Sequence, residues 1–166
     1  QTIMVAYPGP TSGTDANASQ DAAGNDASLL STSSVTNNST LTPPDTTAPL
    51  FSSAVTSIDG TQIILSYNEA LSSTTAAISA FIVSVEGSAV SISSVATSNS
   101  TVMITLASAV TTGQSVTVAY TDPSSSNDSN ATQDVSGNDA ASLESTIVTN
   151  NSTLDTDTAA PTFSYA

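Results

Sequence analysis

Residues 1–41 and 114–154 carry nearly the same text. Set Gln1 against Gln114, an offset of 113, and 23 aligned positions are identical, including VAY (5–7 and 118–120) and VTNNSTL (35–41 and 148–154). Further on, DTTAPLFSSA (45–54) matches TAAPTFSYA (158–166) with the offset reduced to 112. Self-similarity at a fixed period marks a chain built from one folding unit used repeatedly, so any fold must close within about one such period. On this reading 45–156 is a complete copy, 1–44 is the back part of a preceding copy, and 157–166 opens the next. Gln1 aligns with a residue inside a strand-like pattern, and the expectation is a window on a longer tandem array.

Within the complete copy the apolar residues recur with period two. TQIILSYN sets Ile63, Leu65 and Tyr67 on one face, AFIVSVEG sets Phe81, Val83 and Val85, and TVMITLAS sets Val102, Ile104 and Leu106. QSVTVAYTD adds Val116, Val118 and Tyr120. Ser, Thr and similar residues alternate with them, and Gly, Asn and Asp punctuate the runs, which is the pattern of half-buried strands. With LFSSAVTSI (50–58), SAVSISSVA (88–96) and AASLESTIV (140–148) the count is about seven strands per copy. The expected fold is all-β, an immunoglobulin-like β-sandwich. LSSTTAAISA (71–80) is the one stretch whose alanine content suggests a short helix.

Composition then limits the chemistry. The 166 residues include no Lys, Arg, His or Cys, and the net charge is −14. Ser-His and Cys-His pairs, Schiff-base lysines, phosphate clamps and imidazole metal sites are all excluded. A carboxylate-pair glycosidase needs a deep aromatic-lined cleft, and aromatics are 4% of the chain. The expectation is a protein that is not an enzyme. A polyanion repels phosphate, so neither nucleic acid nor direct membrane insertion is expected; the same charge favours cations. Absence of Lys and Arg also removes every trypsin-type cleavage site, which suits an exposed polymer.

The long connection between the strand ending near Tyr120 and the one starting near Ala140 spans about eighteen residues, where most hairpin loops take two to five. It gathers Asp128, Asn130, Asp134, Asn138 and Asp139, and the partial copy repeats these donors as Asp15, Asn17, Asp21, Asn25 and Asp26. Asp122 faces Gly9 in that alignment and is the weaker candidate. A hard cation such as Ca²⁺ takes six to eight oxygens from carboxylates, amides and carbonyls, and this composition supplies them. No glutamate closes a twelve-residue loop, so the spacing is not that of an EF-hand. A second reading stands beside the first: a solvated turn cluster in which Asn and Asp cap their own backbone.

Several motifs in order, DTTAPLFSSA (45–54), ILSYNEAL (64–71), ITLASAV (104–110), VTVAYTDP (116–123) and QDVSGNDAAS (133–142), resemble the cyanobacterial long-protein repeat of giant, swimming-motility-type cell-surface proteins, within the wider bacterial Ig-like repeats whose linkers begin D-x-T-A-P. The resemblance implies a secreted, tandemly repeated, extracellular cell-surface protein. It also implies Ca²⁺ at domain junctions, held by a linker aspartate and an acidic residue of the Y/F-x-E-A type; here these are Asp45 and Glu69. The linker DTDTAAP (155–161) departs, with Asp157 one place early relative to its proline. Asn17, Asn37, Asn38, Asn99, Asn127, Asn130, Asn150 and Asn151 each begin an N-x-S/T sequence, a frequent accident in so Ser/Thr/Asn-rich a chain.

Two functional classes follow. One is a structural array, a stalk, surface layer or filament whose partners are neighbouring repeats or copies of itself, stiffened by Ca²⁺. The other is an adhesin-type module for carbohydrate or a neighbouring cell surface, with a surface glycan as partner. Tyr7 and Tyr120 read as core rather than sugar-binding residues, and Phe51, Phe81 and Phe163 sit in strand patterns rather than on loops, which favours the first.

Overall fold

The computed structural model describes residues 2–9, 17–155 and 159–162. It divides into two compact units, Gln1–Pro43 and Pro44–Ala166.

The first unit holds an antiparallel hairpin of β1 (Ile3–Tyr7) and β2 (Leu30–Val35), paired Ile3 to Val35, Val5 to Ser33 and Tyr7 to Leu30 with a bulge between Val5 and Tyr7.

The second unit is a β-sandwich. One sheet has the order β3-β4-β8-β7, from β3 (Phe51–Thr56), β4 (Gln62–Tyr67), β8 (Thr101–Leu106) and β7 (Ile92–Ser98). The other has the order β10-β9-β5-β6, from β10 (Leu143–Ile147), β9 (Val116–Tyr120), β5 (Phe81–Val85) and β6 (Ser88–Val90). Lettered A to G in chain order, with the extra strand C′, these are the ABED and GFCC′ sheets of an immunoglobulin-like fold. The alternation explains the layers. Ile63, Leu65, Val102 and Ile104 from one sheet meet Val83, Val116, Val118 and Tyr120 from the other, and each is at most 2% exposed. Burying one such side chain stabilises by about 1.5–3 kcal/mol, so this layer dominates the fold's energetics.

Among the described residues the sandwich has eight strands where the sequence suggests about seven. Val90 and Ile92 keep the same alternation across Ser91, yet the pairing breaks there: Ser88–Val90 pairs with β5 and Ile92–Ser98 with β8, so the chain changes sheets in mid-run. The β5–β6 turn is Glu86-Gly87, both at positive φ (52° and 76°), the two-residue type I′ geometry that matches strand twist. The stretch 71–80 forms only a 3₁₀ turn at Ile78–Ala80. Alanine propensity is too weak to hold a longer helix where the segment must cross between sheets.

The repeated VTNNSTL segment closes the sandwich beyond β10. Thr149 makes a parallel bridge to Val55, donating to the Ala54 carbonyl (2.9 Å) and accepting from Thr56 N–H (3.0 Å). The Asn150 side-chain amide donates to the carbonyls of Thr111 (2.9 Å) and Gln114 (3.0 Å) and accepts from the Thr56 hydroxyl. Gly60, at φ +68°, lies so close that a Cβ there would meet the Val110 carbonyl oxygen at 2.0 Å, which only glycine permits.

Candidate metal centre

The linker, the β4–β5 connection and the β9–β10 connection converge at one end of the sandwich. Asp45 is exposed and turns the chain by accepting the Thr47 N–H (2.9 Å). Pro49 follows, buried, and Leu50 exchanges bonds with Asn68: its N–H donates to the Asn68 side-chain oxygen (2.7 Å), and the Asn68 N–H donates to its carbonyl (3.0 Å). This pins the linker beside Glu69. Leu71 and Ser72 in turn meet the long loop, through a bridge from Leu71 to Asp134 and a bond from Ser72 N–H to the Gln133 carbonyl (2.8 Å).

That long loop is an ordered structure. Thr132, fully buried, donates its N–H to the Tyr120 hydroxyl (2.9 Å), and Gln133 bridges Asp139 around a tight turn through Gly137 at φ +90°. Asp134, 1% exposed, accepts from the N–H groups of Ser136 (2.7 Å) and Asn138 (2.9 Å) and from the Asn138 side-chain amide (2.8 Å). The same amide reaches the Asp45 backbone carbonyl at 3.3 Å.

The result is a cluster of three acids. Asp45, Glu69 and Asp134 each place a carboxylate oxygen within 4.8 Å of the others. The local electrostatics split their proton affinities. Partial burial and then the charges of Asp45 and Asp134 push the Glu69 carboxyl above its ordinary value. Burial, the largest single influence on Asp134, also raises its pKa, but the bonds from Asn138, Ser136 and Gly137 together outweigh it and hold that carboxyl low. The chain has no basic side chain to offset the cluster.

The structure brings Asp134 to the linker pair and leaves the other loop donors serving the loop. Asp128 accepts from the Ser124 hydroxyl and then the Asn130 N–H (2.7 Å), which hold its pKa down, while its own N–H donates to Asp139 (3.1 Å). The other oxygen of Asp139 accepts from Gln133 Nε2 (2.6 Å). Asn130 is exposed. These bonds are the local capping that the turn-cluster reading describes. In the partial copy Asp21 accepts from Ala23 and Asn25 N–H (2.9 Å each) and from the Asn25 side chain (2.9 Å), and Gln20 Nε2 donates to Asp26 (2.7 Å). Asn17 is exposed there, and Asp15 lies outside the described residues, as does Asp157. Sequence reasoning placed Asp134 in one candidate set and Asp45 with Glu69 in another. The loop order of a sandwich, which sets the B–C and F–G connections at the end where the first strand begins, is the signal that unites them. Asn68, which pins the linker, carried no signal of its own, whereas Asn138, a candidate ligand in the sequence, here donates its side-chain amide to Asp134 and to the Asp45 carbonyl.

Residues 44–125 match a family profile described as "Putative flagellar system-associated repeat". In fold the chain is similar to the N-terminal part of the bacterial S-layer protein SbsC, at 20% identity and a TM-score of 0.50, over 63% of this chain and 24% of that one. A longer piece of the same protein, rSbsC(31-844), aligns at 21% identity and a TM-score of 0.45, over 62% of this chain and 14% of its own. The chain thus spans about a quarter or less of the S-layer chains it matches. No curated protein matches it.

Proposed function

We propose that the chain is a structural segment of a tandem-repeat cell-surface protein, not an enzyme, and that Ca²⁺ bound by Asp45, Glu69 and Asp134 ties each linker to the domain that follows it. The observation that carries this reading is the three-acid cluster, drawn within 4.8 Å in a chain without a single Lys, Arg or His. Like charges so close are stable together only with a proton or a cation among them. The donors fit a hard cation, since all are oxygens and the Asp45 linker is open enough to leave room for water ligands. Asp134 is already held ionised by its hydrogen bonds, so the ion need not compete with a proton there. The matched repeat family and the shared fold with an S-layer protein support the surface and structural parts of the reading.

A binding-module reading draws on a cleft of about 760 Å³ lined by Thr74, Thr75, Ser79, Thr121 and Asn130 among others. Its hydroxyls suit a neutral, glycan-like ligand. The described aromatic rings of the sandwich favour the structural reading, because Phe51 packs on Tyr67 (6.2 Å) and Phe81 on Tyr120 (5.0 Å) in and around the core rather than at this cleft.

Calorimetric titration of the chain with Ca²⁺, and of its Asp45→Asn variant, tests the metal. Saturable binding to the parent, weakened in the variant, supports the proposal; identical heats with both would remove Asp45 from it, and no heat at all would remove the ion. A glycan array run beside it tests the second reading.

A further inference from the structure

The β1–β2 hairpin repeats the β9–β10 hairpin in register as well as in sequence. Adding 113 to three of its four pairs turns Met4–Ser34, Val5–Ser33 and Tyr7–Leu30 into Thr117–Ile147, Val118–Thr146 and Tyr120–Leu143, and the bulge falls at the same place. The anchor from strand to loop is also shared, since the Tyr7 hydroxyl accepts the Ser19 N–H (3.0 Å) as Tyr120 accepts that of Thr132.

Only the cover differs. Val116 and Val118 are 2% and 1% exposed, whereas Ile3 and Val5, at the matching positions, are 41% and 45% exposed; Val148 is 3% exposed and its counterpart Val35 is 41%. In the complete repeat the cover is known. β5 lies along the second edge of β9, with Phe81 opposite Tyr120, Val83 opposite Val118 and Val85 opposite Val116, and Ile63, Leu65, Val102 and Ile104 close the face. Among the described residues β1 pairs with β2 alone, so its second edge presents free backbone donors and acceptors beside an apolar face.

We propose that the β1–β2 hairpin is a docking surface for the front half of a second copy of this repeat, the segment corresponding to residues 44–113. The incoming β5 adds to the free edge of β1, setting Phe81 opposite Tyr7, Val83 opposite Val5 and Val85 opposite Ile3, while the incoming β4 and β8 cover Ile3, Val5 and Val35. Backbone pairing along the edge supplies affinity, and the apolar alternation fixes register, because a slip of one residue would turn Phe81 and Val83 to solvent. An unrelated strand could satisfy the edge but not the face, whose apolar positions repeat those that the front half already covers once in this chain. The proposal stands apart from the metal reading, since no carboxylate enters it.

The test mixes the full chain with a separately produced fragment of residues 44–113 in urea, dilutes both into buffer, and follows amide hydrogen exchange. The proposal predicts a one-to-one complex in which exchange at residues 3–7 slows by about 100-fold or more, as burial in a cooperative sheet requires. Val5→Asp in the full chain, or Val83→Asp in the fragment, should abolish that protection while the melting of the Pro44–Ala166 unit in the full chain stays unchanged. A fragment that precipitates and leaves the chain alone in solution would overturn the proposal, as would a complex that leaves residues 3–7 unprotected because the fragment has displaced the chain's own β5 from β9.

Discussion

The side-chain amide of Asn138 reaches the backbone carbonyl of Asp45 at 3.3 Å, joining residues 93 positions apart. The same NH₂ group also donates to the Asp134 carboxylate at 2.8 Å, so one asparagine holds the linker and orients the buried acid.

Asn138→Ala is therefore expected to destabilise the sandwich by about 1–3 kcal/mol, the cost of leaving a buried carboxylate short of a donor. Asn25→Ala, at the matching but exposed position in the partial copy, should cost much less. Urea unfolding of both variants checks this; equal losses would show that the bond to Asp134 gains nothing from burial.

The acid cluster gives stability a defined pH dependence when divalent ions are chelated. The Asp134 carboxyl is depressed, so its contribution is present above its ordinary value of 3.8 and is lost as pH falls through the lower folded value. The Glu69 carboxyl is raised, so the fold favours its protonated form, and its penalty appears as pH climbs above its ordinary value of 4.5. In chelator the chain should melt higher at pH 5 than at pH 7, and Glu69→Gln should remove much of that difference by raising the melting temperature at pH 7. A Glu69→Gln variant that melts below the parent at pH 7 in chelator would mean that the three acids do not repel one another as placed.

Tyr67 makes the opposite end of the pH scale informative. Its hydroxyl is buried without a hydrogen-bond partner among the described residues, and burial, with the neighbouring Tyr120, pushes its pKa up to about 12. The protonated form is the one the fold holds, so this contribution is intact below the ordinary value of 10 and disappears as pH rises toward 12. Tyr67→Phe should be neutral or stabilising by up to about 1 kcal/mol at pH 7, because no made bond is lost, and should delay alkaline unfolding. Ultraviolet absorbance of tyrosinate against pH follows the alkaline step and urea unfolding at pH 7 the stability; a loss of more than about 2 kcal/mol on substitution would reveal a partner for the hydroxyl.

The strand faces were legible because burial imposes a period of two: Ile63, Leu65, Tyr67, Val102, Ile104, Val116, Val118 and Tyr120 all point where the alternation puts them. The change of sheet at Ser91 was not, since Val90 and Ile92 on either side of it keep the same alternation and the switch is made by backbone pairing alone. For the acids the legible part was composition and the illegible part was partnership. Asp128 and Asp139 look like Asp134 in sequence, yet their oxygens accept bonds within the loop, and only tertiary contact shows that Asp134 also faces Asp45 and Glu69.

Thermal melting of the full chain at pH 7, in excess Ca²⁺ and in chelator, tests the central claim most directly. At a hundredfold excess over the dissociation constant the ion should stabilise the Pro44–Ala166 unit by about 2.7 kcal/mol, a rise of roughly 10 °C for a domain of this size. Mg²⁺, which gives up its water reluctantly, should do less. Glu69→Gln should reverse the order of the two proteins: the variant melts above the parent in chelator and below it in Ca²⁺. Superimposable melts of the parent in Ca²⁺, Mg²⁺ and chelator would contradict the account, leaving Asp45, Glu69 and Asp134 as acids that share a corner of the fold without holding a metal.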